Sequence, residues 1–150
     1  MLCKDFDQSW SYREMSMREK STFTGDTRIS VVDDDESMRQ AIKALIGSMG
    51  FVVEDFSSAE DFLDSGVCQT FDCLILDVMM PGLSGLELHQ KLRADNQPIP
   101  IIFVTAHFNE KERTRALQAG AVDFLSKPFT EQDLFTAIYA SLSIPKRTCR

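Results

Sequence analysis

Between residues 28 and 143, short apolar runs alternate with amphipathic stretches, the pattern of a parallel sheet covered by helices on both faces. Five strand–helix units are predicted. Arg28–Asp33 is the first strand, followed by a helix over Glu36–Met49 whose Met38, Ile42, Leu45, Ile46 and Met49 fall on one face, with Gly50 as its stop. Phe51–Asp55 forms the second strand, and Ser58 caps a short helix that holds Phe62 and Leu63 and ends before Gly66. Phe71–Asp77 is the third strand. After the Pro81–Gly82 turn, Ser84 caps a helix carrying Leu86, Leu88 and Leu92, and the loop Asp95–Pro98 leads into a fourth strand at Pro100–Thr105. The helix over Asn109–Ala119 is the most polar of the set, anchored by Ala116 and Leu117, and is expected to be held weakly and to shift readily. Strand five is Val122–Ser126, and a last helix from Thr130 to about Leu142 buries Leu134, Phe135 and Ile138 before Pro145.

At 150 residues with 43% hydrophobic positions, the chain is long enough for one domain with a real core. Residues 1–27 lack sustained periodicity and mix four basic with five acidic residues, yet carry Phe6, Trp10, Tyr12 and Phe23. They are expected to be a disordered extension or a helix that docks on a partner. Residues 28–143 make the domain, and residues 144–150 a short basic tail. The stretch 28–144 carries 9 Lys and Arg against 18 Asp and Glu, a net of −9, which argues against direct nucleic-acid binding. Cys3, Cys68, Cys73 and Cys149 are scattered, with no zinc-ligand spacing, and fit reduced thiols. No stretch is apolar enough to span a bilayer and residues 1–27 lack the apolar middle of a signal peptide, so a cytoplasmic protein is expected, with no membrane partner.

The chemistry gathers where strands end. A parallel sheet presents the C-terminal ends of its strands together, so Asp77, the acidic run Asp33, Asp34 and Asp35, and Lys127 are expected on one edge. Two carboxylates at about 4 Å in an effective dielectric near 20 repel by roughly 4 kcal/mol, and a third makes an uncompensated cluster untenable. A divalent cation resolves the conflict, and oxygen-only ligands favour Mg²⁺ or Ca²⁺. With Mg²⁺ comes phosphate chemistry: a carboxylate nucleophile giving an acyl phosphate, Lys127 as the positive charge at the phosphoryl group, and Thr105 as a hydroxyl that hydrogen-bonds it. His107, two residues past Thr105, falls near the site, whereas His89 falls on the polar side of its helix and is expected to be exposed. Met80 is expected in the core and Met79 on the site rim.

Several segments in this order carry a family resemblance: the acidic stretch Val31–Glu36; Asp77, Met80, Pro81 and Gly85; Thr105 followed by Ala106; and the run Ala119–Phe129. From about residue 28 to 143 the chain resembles the receiver domain of bacterial two-component response regulators, of the nitrogen-fixation type that precedes LuxR-type DNA-binding domains, here without the output domain. The resemblance implies a flavodoxin-like (β/α)5 fold, a doubly wound five-stranded parallel sheet in the order 2-1-3-4-5. It implies that Asp77 accepts a phosphoryl group from a histidine kinase, with Mg²⁺ held by Asp33, Asp34, Asp77 and the backbone carbonyl of Met79. Thr105 and Lys127 would contact the phosphoryl group, and the Lys127–Pro128 bond would be cis. Thr105 and the aromatic Phe124 would act as the switch, changing the surface of helix four, strand five and helix five toward a downstream protein, a phosphotransfer partner or a second copy of the chain. Asp35, Met79 and His107 would form the rim, the latter two tuning how fast the phosphoryl group is lost. The resemblance implies a signalling domain rather than an enzyme.

Two alternatives stand beside this. Asp33 and Asp35 have the Asp-x-Asp spacing of haloacid-dehalogenase-type Mg²⁺ phosphatases, although the short chain leaves no room for a cap domain. A nucleotide-binding module is disfavoured because no glycine-rich loop follows strand one. Asp35 itself is either part of the acidic constellation or a charge favoured by the dipole of the helix that follows.

Overall fold

The computed structural model describes residues 27–66, 70–97 and 99–143. The expectations for residues 1–26 and for the basic tail, and those for Cys3, Cys68 and Cys149, lie outside the described residues. The elements alternate without exception: β1 (Arg28–Val32), α1 (Glu36–Ser48), β2 (Val52–Phe56), α2 (Ala59–Asp64), β3 (Cys73–Asp77), α3 (Gly85–Ala94), β4 (Ile101–Thr105), α4 (Glu110–Gln118), β5 (Asp123–Ser126) and α5 (Glu131–Leu142). All strand pairs are parallel, and the sheet order is β2-β1-β3-β4-β5. This is the doubly wound flavodoxin-like arrangement.

The central strands are buried on both faces, so they read as continuous apolar runs and their residues divide by parity. Leu74 and Leu76 of β3 and Ile101 and Phe103 of β4 point into one core with Phe62, Leu88, Leu92 and Ala116 from α2, α3 and α4. Cys73 and Ile75, with Ile102 and Val104, point into the other, against Ile42 and Ile46 of α1 and Leu134 and Ile138 of α5. Burial leaves the Cys73 thiol protonated, its pKa pushed up to about 12.

Helix starts follow the expected chemistry. Ser58, Ser84, Asn109 and Thr130 each accept a backbone N–H of the first turn, and at Ser84 and Thr130 the third helical residue returns the bond to complete a capping box. In α4 only Ala116 is buried, with Leu117 packed partly against the core, in keeping with the polarity of this helix.

Two expectations need correction. Strands β2, β4 and β5 begin one residue later than predicted, at Val52, Ile101 and Asp123, and β3 two later, at Cys73; Phe51 is buried beneath α1 and α5 beside Tyr139. His89 is not exposed: it is 6% accessible and packs edge-on against Phe103 with ring centroids 5.6 Å apart. Counted along α3, His89 sits beside Leu88, and the face toward β4 is wide enough to take in both.

Candidate functional site

Because β1 and β3 are neighbours with Val32 opposite Leu76, the next residues, Asp33 and Asp77, emerge side by side at the C-terminal edge of the sheet. Carboxylate oxygens of Asp33, Asp34 and Asp77 lie within 4.8 Å of one another. Asp33 has no exposed surface and Asp77 only 6%, whereas Asp34 is exposed. Lys127 reaches this pair from the end of β5, across β4: its ammonium donates to Asp33 Oδ2 at 2.9 Å and stands 3.7 Å from Asp77 Oδ2. The Lys127–Pro128 peptide is cis, as the resemblance implies.

Burial and the adjacent Asp33 charge push the Asp77 carboxyl up to about 7, with Lys127 opposing the rise. A carboxyl so placed is a proton-holder when alone and a strong ligand when a cation is near. The donor set is all oxygen, three carboxylates converging from two strand ends, which fits a hard divalent ion such as Mg²⁺ and does not fit zinc.

The backbone around Asp77 is tightly confined. The Met79 N–H donates to Asp77 Oδ1 at 3.3 Å, which draws the loop back over the carboxylate. Gly85 opens α3 directly above: a Cβ there would lie 2.2 Å from the Asp77 carbonyl oxygen, so only glycine permits this approach. Met80 is buried in the core, while Met79 is 56% exposed and lines an open groove of about 430 Å³ with Val78, Pro81, Ser84, Leu86 and Glu112.

The other predicted site residues fall nearby in different ways. Thr105 is buried at the end of β4, and its Oγ1 accepts the His107 N–H at 3.1 Å and donates to the His107 carbonyl at 3.3 Å. Its carbonyl accepts the Lys127 N–H at 2.7 Å. His107 is exposed, linked to the centre through the Thr105 hydroxyl. Phe124 is buried, its ring 6.0 Å from Phe103 on one side and 6.0 Å from the half-exposed Phe108 on the other.

Asp35 is brought to the loop but not into the carboxylate cluster. Its Oδ1 accepts the Ser37 and Met38 N–H groups at 3.0 and 3.3 Å, capping α1, and its own N–H donates to Asp33 Oδ1 at 2.9 Å. The dehalogenase-type pairing of Asp33 with Asp35 is therefore not supported: the second carboxylate is spent on a helix cap.

Two contacts had no signature in the sequence pattern. The Arg39 guanidinium donates to the Asp33 carbonyl at 2.8 Å, and Glu60 of α2 accepts the Leu83 N–H at 2.9 Å, pinning the loop between β3 and α3. The second joins residues 23 positions apart, and the first, though only six apart, depends on a long side chain reaching back past the helix start, so spacing alone does not reveal them.

Comparison with known proteins agrees with this fold. Residues 29–139 match the response regulator receiver domain. Nodulation protein W of Bradyrhizobium diazoefficiens is 46% identical over 113 residues, covering 75% of this chain and 50% of that protein. Response regulator protein TodT of Pseudomonas putida is 43% identical over 116 residues, covering 77% and 51%. Among solved structures, the response regulator StyR has 44% identity and a TM-score of 0.74 over 79% of this chain and 60% of that one. FixJ-N has 31% identity and a TM-score of 0.74, covering 83% and 100%. The chain thus spans about half the length of the curated relatives it matches. It belongs to the response regulator receiver family, the phosphorylation-switched domain of two-component signalling.

Proposed function

We propose that Asp77 is the phosphoacceptor of this receiver and that a histidine kinase is its donor. The observation that carries the reading is the convergence of the Asp33, Asp34 and Asp77 carboxylates within 4.8 Å, beside the Lys127 ammonium. A carboxylate oxygen of Asp77 attacks phosphorus and the N–P bond of a phosphohistidine breaks, leaving an acyl phosphate and a free imidazole. Asp33 and Asp34, with Asp77 and the Met79 carbonyl, would hold Mg²⁺. Bound there, Mg²⁺ would offset the mutual repulsion of the carboxylates and the charge on the phosphoryl oxygens. Lys127 stands close enough to follow that charge, moving from Asp33 toward the new phosphoryl oxygens.

The phosphoryl group adds about −1.5 to −2 charge at the sheet edge. Thr105 would exchange its hydrogen bonds with the His107 backbone for one to the phosphoryl group, vacating space beside β4. Phe124 would then follow inward and alter the surface of α4, β5 and α5. Phe108, 48% exposed and resting on Phe124, would transmit that motion, and supports a phosphorylation-dependent contact with a downstream protein or a second copy of the chain. Met79 and His107 would set how readily water reaches the acyl phosphate. The domain would work in the cytoplasm as a signalling module whose chemistry is limited to taking and losing this group, without binding nucleic acid itself. No helix among the described residues is long and apolar enough to cross a membrane. Residues 28–143 would make up the receiver, between the segments 1–27 and 144–150.

Labelling of the chain by acetyl phosphate with Mg²⁺, read by intact mass, tests this. One phosphoryl group is expected on the wild type and none on Asp77→Asn; undiminished labelling of Asp77→Asn would overturn it. Sedimentation with beryllofluoride and Mg²⁺ tests the self-association, and an unchanged profile counts against it.

A further inference from the structure

Arg39 is a charged side chain that the acyl-phosphate chemistry does not use, yet it is bonded to the acidic loop. Its Nη1 donates to the Asp33 carbonyl at 2.8 Å and its Nε to Asp55 Oδ2 at 2.8 Å. The Arg39 side chain is only 12% exposed and that of Asp55 18%. Asp55 belongs to β2, the edge strand beside β1, where it pairs with Val31; Lys43 Nζ donates to its other oxygen, Oδ1, at 2.9 Å, and Gln40 Nε2 shares Oδ2 at 3.2 Å. Burial alone would raise the Asp55 carboxyl, but the bonds from Lys43 and Arg39 outweigh it and keep it below its usual value. A fixed anion on β2 thus holds a cation that in turn holds the peptide between Asp33 and Asp34.

We infer that Arg39, braced by Asp55, is a positioning residue for the divalent cation: by fixing the Asp33–Asp34 peptide plane it aims the otherwise exposed Asp34 carboxylate at Asp33 and Asp77. The inference rests on the metal reading given above. The peptide plane needs such an anchor. Asp34 is exposed and stands two residues beyond Val32, the last residue paired in β1, while Asp33 is tied on its other side by its N–H to the Phe56 carbonyl at 3.2 Å. With the Asp33 carbonyl also tied, the plane cannot rotate, and the carboxylate that follows it loses little freedom on binding the ion. A free guanidinium near the site would repel a cation, so the sign of the effect separates the two roles. Anchoring predicts that losing Arg39 weakens the ion; simple repulsion predicts that it tightens.

The experiment is a calorimetric titration of the full chain with MgCl₂, alongside thermal melts without the metal. Arg39→Met keeps the aliphatic stem and removes both donors. Its Mg²⁺ affinity is expected to fall about tenfold, the usual cost of losing a group that orients a ligand. Arg39→Lys, whose single ammonium reaches one acceptor at a time, is expected to recover part of the loss. An Arg39→Met affinity equal to or tighter than wild type overturns the inference, including the case where only the melting temperature falls. Should Arg39→Met not fold, Arg39→Lys decides, and wild-type affinity in it has the same force. Absence of Mg²⁺ binding by the wild type, or binding unchanged by Asp34→Asn, would instead fail the metal reading and this inference with it.

Discussion

Lys127 donates to Asp33 at 2.9 Å but stands 3.7 Å from Asp77, so its ammonium is bonded to the carboxylate that follows β1 and only near the one that ends β3. The asymmetry leaves Asp77 the less compensated partner, and it is Asp77 that burial and the Asp33 charge push up to about 7. The same asymmetry leaves an Asp77 oxygen without a cationic partner at bonding distance, where an electrophile can meet it.

Removing the cation should expose the repulsion it masks. Lys127→Met is expected to destabilise the metal-free domain by about 3 kcal/mol, since a buried partner loses its counter-charge. The loss should be larger at alkaline than at mildly acid pH, where Asp77 takes up a proton and relieves the pair. Denaturant melts at the two pH values check this, and an equal loss at both would count against it.

Asp77 sets a pH dependence of defined sign. Its carboxyl is raised from 3.8 to about 7 in the folded state, so the folded chain binds the proton more tightly than the unfolded chain. Its contribution favours folding at low pH and is lost as pH rises toward 7, costing on the order of 3 kcal/mol. Without divalent cations, Asp77→Asn should therefore be more stable than wild type near neutral pH and show a flatter profile. Mg²⁺ should stabilise the wild type and leave the variant nearly unchanged.

His89 should act in the opposite direction. Burial, and secondarily the Arg93 charge, lower its pKa below 6.5, so the unfolded chain takes up the proton first. Its stability contribution is present above 6.5 and is lost as pH falls through the lowered folded value. Replacing it with leucine, which keeps the contact with Phe103 apolar, should remove this acid-side loss. A thermal-melt series across that range compares the slopes.

Gly85→Ala should disturb the site from outside it. Its Cβ would meet the Asp77 carbonyl oxygen at 2.2 Å and Val78 Cα at 3.1 Å, both backbone atoms that cannot swing aside. A cost of about 2 kcal/mol or more is expected, with slower labelling by acetyl phosphate. Wild-type stability in this variant would mean that α3 shifts more freely than the close approach implies.

The division of labour between sequence and fold is visible in particular residues. The runs Leu74–Asp77 and Ile101–Thr105 marked central strands because strands covered on both faces have no polar alternation to obscure them. Ser58, Ser84, Asn109 and Thr130 marked helix starts because a cap bonds residues only two or three positions away. Helical period alone misplaces His89, because it assigns a residue to a helix face without stating how wide a face the sheet covers. Asp35 had two readings in the sequence, and its bonds to the Ser37 and Met38 N–H groups chose the cap.

By itself, then, the sequence determined the alternation of strands and helices, where the helices start, and which strands end in a carboxylate, a hydroxyl or an amine, all of which depend on residues close along the chain. Tertiary structure alone decided that Asp33 lies beside Asp77, that Lys127 leans toward the first of them, and that Arg39 links β2 to the acidic loop. Those facts depend on strand order and register, and on pairings between residues up to 94 positions apart, which no local pattern encodes.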